Sequence, residues 1–128
     1  MVRKRRDSMV NSYKDLQVWQ KAMDLVVEAY RIAWSLPKEE RYALSDQMRR
    51  AAVSVPSNIA EGQVRNSTKA FVQFLSVAKG SNAELNTQFL LCIRLGYLSS
   101  DAAQNALSLS EEVSKMLSSL IQKLTTAH

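Results

Sequence analysis

The sequence predicts an all-α chain: one antiparallel, up-down-up-down four-helix bundle with a kinked second helix. Two observations carry that expectation. Only three Gly and two Pro occur in 128 residues, so the chain must consist of long regular elements, whereas short strands with frequent turns need more of both. Apolar residues also recur at steps of three and four in four separate segments, the period of a helix with one face on a core. The length suits a single domain, which at this size buries roughly two-thirds of its unfolded-chain surface. Residues 1–12 read as a flexible basic tail and 13–128 as the bundle.

The first helix is expected from about Asp15 to Leu36, stopped by Pro37. It carries two apolar seams, Val18-Ala22-Leu25-Ala29-Ile32 and Trp19-Met23-Val26-Tyr30-Ala33. Adjacent seams lie about 100° apart, so the apolar face is wider than one core contact needs. Either this helix sits deep in the bundle, or part of the face meets another subunit.

Residues 37–43 connect to a second helix beginning near Leu44 and Ser45, with Ser45 or Asp46 suited to cap it. Its apolar side reads Leu44, Met48, Ala51, Val55, Ile59, and it ends around Gly62. Pro56 falls inside this pattern; it removes a ladder hydrogen bond and crowds the preceding turn, predicting a kink near 52–56.

The third helix is the longest, capped by Asn66, Ser67 or Thr68 and closed by Gly96 at the left-handed position. Its seam is Phe71, Leu75, Ala78, Asn82, Leu85, Phe89, Cys92. Gly80 in its middle costs up to about 1 kcal/mol against Ala, which predicts a close backbone approach there. The fourth starts at Ser99, Ser100 or Asp101 and buries Ala103, Ala106, Val113, Leu117, Leu120 and Leu124. Short links favour antiparallel neighbours.

The net charge of +5 is unevenly spread. Residues 1–14 carry five basic groups and one acidic, residues 15–40 three and five, residues 41–94 seven and three, and residues 95–128 two and three. The tail and the middle of the chain are therefore basic, which permits nucleic-acid contact. Met9 is a second candidate start, and a chain beginning there would lack most of the tail's charge. No apolar run approaches the ~18 residues of a membrane span, and the lone Cys92 points to no disulfide. A cytoplasmic protein without membrane contact is the expectation.

Catalysis has little to work with. The one histidine is the terminal His128, Cys92 lies in the apolar run Phe89–Ile93, and the three glycines are isolated. No spacing suits a metal or a phosphate loop, so neither cofactor nor metal is expected, and the chain reads as a binding protein rather than an enzyme. Two features could bind. A polar stripe on helix 2, Gln47-Arg50-Ser54-Asn58-Glu61-Arg65, has a partial match in Ser81, Glu84 and Gln88 of helix 3. Packed together, these would pair Arg50 or Arg65 with Glu84, as a polar network setting register or as an RNA-contacting surface. Asn58, Glu61 and Glu84 are assigned to structural polar contacts. The second feature is basic: Arg3, Lys4, Arg5 and Arg6 in the tail, with Arg49, Arg50, Arg65 and Lys69, are the candidate phosphate contacts.

Several ordered blocks resemble one family: Tyr13–Ala22, Leu36–Tyr42, Ala51–Gly62, the Phe71…Phe74–Ser81 stretch, Glu84-Leu85 and Leu95–Leu98. They are similar to the bacterial four-helix-bundle family named for 23S rRNA intervening sequences, over about Tyr13 to Leu98. The resemblance implies a bundle assembled as a homopentamer, with the wide face of helix 1 covered by another copy. A more distant likeness is to the accessory variability determinant of diversity-generating retroelements, a strongly basic pentameric barrel that binds nucleic acid and a reverse transcriptase. Together these imply a non-catalytic, oligomeric accessory that binds rRNA or other nucleic acid, or a nucleic-acid-handling protein. A protein-binding scaffold with no nucleic-acid role is the alternative.

Overall fold

A computed structural model describes residues 12–126. Four helices follow in order: α1 (Gln17–Ser35), α2 (Leu44–Val64), α3 (Thr68–Arg94) and α4 (Ser100–Thr126). Short 3-10 turns at Tyr13–Asp15 and Lys38–Glu40 precede α1 and α2. Each helix packs on the one before and after it, and α4 closes on α1. Direction follows from the pairs that meet: Met48, Ser54 and Gly62 of α2 face Cys92, Ser81 and Phe74 of α3, so the two run antiparallel. The chain is the expected all-α, up-down-up-down bundle.

The helix ends are chemically specified. Ser67 caps α3 by accepting from the Ala70 N–H (3.1 Å), and Ser99 serves α4 the same way through Ala102 (3.0 Å). At the end of α3, Tyr97 N–H bonds to Cys92 O and Gly96 N–H to Ile93 O, with Gly96 at φ +79°; this is the paired-bond C-cap that favours glycine. At the start of α2 the residues behave differently from expectation. Ala43 holds the cap position without a side-chain bond. Ser45 is buried inside the first turn, where its hydroxyl donates to Ala33 O at the end of α1 (3.0 Å). It ties two helices rather than capping one.

Pro56 sits inside α2, which continues to Val64 and is kinked at the proline. The helix therefore passes Gly62, and that glycine is the close approach in the fold. A Cβ there would stand 2.7 Å from Phe74 Cβ. Gly80, expected to play this role, faces open space; no neighbouring helix of the chain demands a glycine at that point.

The core contains Leu25, Met48, Val55, Ile59, Leu75, Leu85, Phe89, Val113 and Leu117, all fully buried. Burying each large side chain contributes about 1.5–3 kcal/mol. The two seams of α1 have different fates. Val18, Ala22, Leu25, Ala29 and Ile32 are buried throughout. Of the second seam only Ala33 is buried, Trp19, Val26 and Tyr30 are half-buried, and Met23 is exposed. Beside them Val27 and Trp34 are 58% and 77% exposed. The surplus apolar face of α1 thus points away from the chain's own core.

Candidate nucleic-acid interface

The antiparallel order gives the bundle two ends. The basal end comprises the Tyr13–Asp15 turn, the α2–α3 link and the last turns of α4. The apical end comprises the α1–α2 connection and the α3–α4 link. The basic residues singled out in the sequence divide between them. Arg49 and Arg50 lie in the first turns of α2, at the apical end, and Arg65 and Lys69 flank the α2–α3 link, at the basal end. Sixteen residues of chain, mostly helix, separate Arg49 from Arg65, about 24 Å at helical rise. Arg3, Lys4, Arg5 and Arg6 lie outside the described residues; the chain enters the described part at Ser12, which is basal.

The two pairs of arginine and lysine also differ electrically. Arg49 and Arg50 share Asp46, at 3.7 Å to Oδ1 and 3.2 Å to Oδ2. Arg49 donates in addition to Arg41 O (3.3 Å). Arg65 pairs with Glu61 (2.6 Å), its guanidinium 4.9 Å from the Phe74 ring centroid. Lys69 is exposed and pairs with no carboxylate among the described residues. Neither arginine of the stripe reaches Glu84, because an acid four residues earlier on the same helix is nearer at hand.

Asn58 donates to Ser54 O (2.8 Å) and Ser54 Oγ (2.9 Å), and Ser54 Oγ shares a hydrogen bond with Ser81 Oγ across to α3 (2.8 Å). Glu61 and Glu84 are exposed and bond within their own helices, Glu61 to Arg65 and Glu84 to Gln88 Nε2 (3.4 Å). Gln88 is itself buried, and its Oε1 has no hydrogen-bond partner. The tighter polar link is one the stripe did not reveal. Asn82 and Ser110 are buried between α3 and α4, Asn82 Nδ2 donating to Ser110 O (2.8 Å) and Ser110 Oγ to Asn82 Oδ1 (2.9 Å), while Asn86 donates to Ser110 Oγ (3.1 Å). The signal was an asparagine standing in an otherwise apolar seam.

Charge separates the ends. The basal half holds Lys14, Lys21, Arg65, Lys69, Lys115 and Lys123 against Asp15, Glu61, Glu111 and Glu112, with Glu61–Arg65 and Lys21–Glu112 (3.5 Å) as ion pairs among the described residues. The apical end holds Arg31, Lys38, Arg41, Arg49, Arg50 and Arg94 against Glu28, Glu39, Glu40, Asp46 and Asp101. Each end presents two helix N-termini and two C-termini, so the macrodipoles cancel. The side chains alone make the basal end cationic.

Two clefts open at the basal end, one on each side of the last turns of α4. The first, about 480 Å³, lies between Leu16 and Val18 of the α1 start and Met116 and Leu120, with Lys115 and Lys123 at its rim. The second, about 440 Å³, lies between Val72 of α3 and Leu124, with Lys69 at its rim. Both have apolar floors; Asp15 stands at the edge of the first along with its two lysines, and Lys69 edges the second. Elsewhere, burial and then the Glu40 charge push the Cys92 thiol up to about 11, so it is held as a neutral thiol whose S–H points at Met48 Sδ (3.8 Å). The Tyr97 hydroxyl donates to Glu40 Oε2 (2.8 Å), and that bond, more than its surroundings, raises the phenol above its ordinary value. Among the described residues no three His, Cys, Asp or Glu side chains gather as a metal would require, and no helix is long and apolar enough to cross a membrane.

These features define a four-helix bundle with one cationic end. The chain belongs to the 23S rRNA-intervening sequence protein family, matching it over residues 14–119. It is also similar to a protein of unknown function from the S23 ribosomal protein family of Bacteroides thetaiotaomicron VPI-5482, whose crystal structure is known at 1.70 Å resolution. The two share 26% identity and superpose with a TM-score of 0.76, over 81% of this chain and 97% of that one. No curated protein matches the sequence.

Proposed function

We propose that the protein is a homo-oligomeric, non-catalytic accessory of the cytoplasm that binds structured RNA. The observation that carries this reading is the cationic end: Lys14, Lys69, Lys115 and Lys123 are exposed there and pair with no carboxylate among the described residues. Unpaired surface cations attract phosphate through counterion release, with strong salt dependence. Arg65 adds to the same field, and Arg3, Lys4, Arg5 and Arg6, outside the described residues, add basic charge to the chain. Arg49 and Arg50 lie at the opposite end, where their shared Asp46 offsets one of their two charges. The name of the family, 23S rRNA-intervening sequence protein, points the same way.

Self-assembly is supported by the outer face of α1. Met23, Val27 and Trp34 are exposed beside half-buried Val26 and Tyr30, a contiguous apolar patch of the kind that marks an interface. A second copy covering it, in a pentamer, accounts for the surplus seam. The same patch favours the second reading, a protein-binding scaffold or a nucleic-acid-handling protein as partner.

The test is fluorescence anisotropy with a folded rRNA hairpin at two salt concentrations, comparing the full chain with one starting at Met9, alongside light scattering for mass. Binding that weakens steeply with salt, by an oligomer, supports the reading. Absence of binding at low salt overturns it in favour of the scaffold, and a monomer would remove the account of α1.

A further inference from the structure

We infer that the basal end takes unpaired nucleotides of an RNA, with bases in the two clefts beside α4 and phosphates on their lysine rims. The inference rests on the RNA reading above and specifies its ligand and place. Each cleft combines an apolar floor with a basic rim. Its floor is aliphatic, from Leu16, Met116 and Leu120 in one and from Val72 and Leu124 in the other. Its rim is an ammonium without a carboxylate partner, Lys123 or Lys69. Their volumes, about 480 and 440 Å³, fall within the roughly 300–1,000 Å³ typical of small-ligand sites.

A duplex cannot use such clefts. Its bases are stacked and paired, and only phosphates and groove edges reach a protein. Splayed nucleotides of a loop or bulge present a flat apolar face next to an anion, which is the chemistry the clefts offer. Lys123 on the first cleft and Leu124 on the second are neighbours in α4, so a single strand crossing the end of that helix can place nucleotides on both sides. With aliphatic floors against which a base of any kind can lie, the binding is tolerant of sequence.

The experiment uses the full chain and two RNAs labelled with fluorescein: a hairpin with a long unpaired loop and a blunt duplex of the same length. Four proteins are compared: the unaltered chain, Lys69→Gln/Lys123→Gln, Leu124→Asn, and the apical control Lys38→Gln/Arg94→Gln. The substituted charges are surface groups, and far-ultraviolet circular dichroism checks that each variant is folded. The unaltered chain is expected to bind the looped hairpin at least tenfold more tightly than the duplex. The basal variant should lose most of that preference and lower the slope of log affinity against log salt by about 0.7 per lysine, while the apical variant keeps both. The Leu124→Asn variant, with the rim charges intact, should lose the preference for the loop while retaining the salt slope. Equal binding of duplex and hairpin, or equal loss from the apical variant, overturns this inference while leaving RNA binding standing. Failure of the unaltered chain to bind either RNA overturns both.

Discussion

At the apical end Ser45 bonds to Ala33, Tyr97 to Glu40 and Arg49 to Arg41 and Asp46, whereas at the basal end Lys14, Lys69, Lys115 and Lys123 are exposed without an ion pair among the described residues, the last three edging two open clefts. Both ends are built from the same parts, two helix starts and two helix ends. The difference lies in where acids were placed. Opposite charges at the apical end sit one turn apart on the same helix or close in the connection, so they compensate one another. The basal lysines are spread over α3, α4 and the entering segment and make no ion pair with Asp15 or Glu61. One end has spent its polar groups on holding helices together, and the other has kept its charge for solvent or a ligand.

That comparison can be strained first at the glycines. Gly62→Ala at the basal end forces a methyl against Phe74, and overpacking of that kind costs about 1–3 kcal/mol, more than the helix propensity it gains. Gly80→Ala, in open space, should instead stabilise by up to about 1 kcal/mol. Urea unfolding of the two variants should therefore move midpoints in opposite directions. Equal shifts would mean that the α2–α3 approach at Gly62 is looser than described.

Next in size are the bonds that knit the apical end. Ser45→Ala removes a buried hydroxyl and leaves Ala33 O without it, a loss of about 1 kcal/mol. Lys69→Gln and Lys123→Gln, exposed and unpaired, should stay within about 0.5 kcal/mol of the unaltered chain. Denaturation of these three separates the structural end from the free one, and a lysine variant as costly as Ser45→Ala would erase the distinction. Gln88→Leu is expected to be neutral or slightly stabilising in the same assay, because it removes a buried amide oxygen that has no partner.

The smallest effect is on pH dependence. The folded Cys92 thiol titrates near 11 and the unfolded one near 9. Its contribution to stability is therefore complete below about pH 9 and is lost as the pH rises toward 11. Comparing unfolding at pH 8 and pH 10.5, Cys92→Ala should fall less than the unaltered chain. An equal fall in both would assign the alkaline loss to other groups, Tyr97 first among them.

Much of the fold was legible in the sequence for a physical reason. Helical periodicity and a scarcity of breakers are local properties, and Ser67, Ser99 and Gly96 act on backbone groups within a few residues, so their roles follow from position. What depended on tertiary register was not legible. Ser45 looks like a cap until the end of α1 is known to lie beside it, and Gly80 looks like the close approach until Gly62 is found facing Phe74. The basic set was found as residue types but not as a place: Arg49, Arg50, Arg65 and Lys69 read as one group along the chain, and α2 carries them to opposite ends. Lys115 and Lys123 were not singled out because α4 is slightly acidic as a segment, and only the fold brings its last turns beside Lys14 and Lys69.

The account's central claim, that one end of the bundle meets RNA, is tested most directly by lysine footprinting. Brief acetylation with and without a looped RNA hairpin, read residue by residue by mass spectrometry, reports every ammonium at once. The account predicts protection of Lys14, Lys69, Lys115 and Lys123, with the apical Lys38 labelled equally in both states. Protection of Lys38 to the same extent, or protection spread evenly along the bundle, would contradict it.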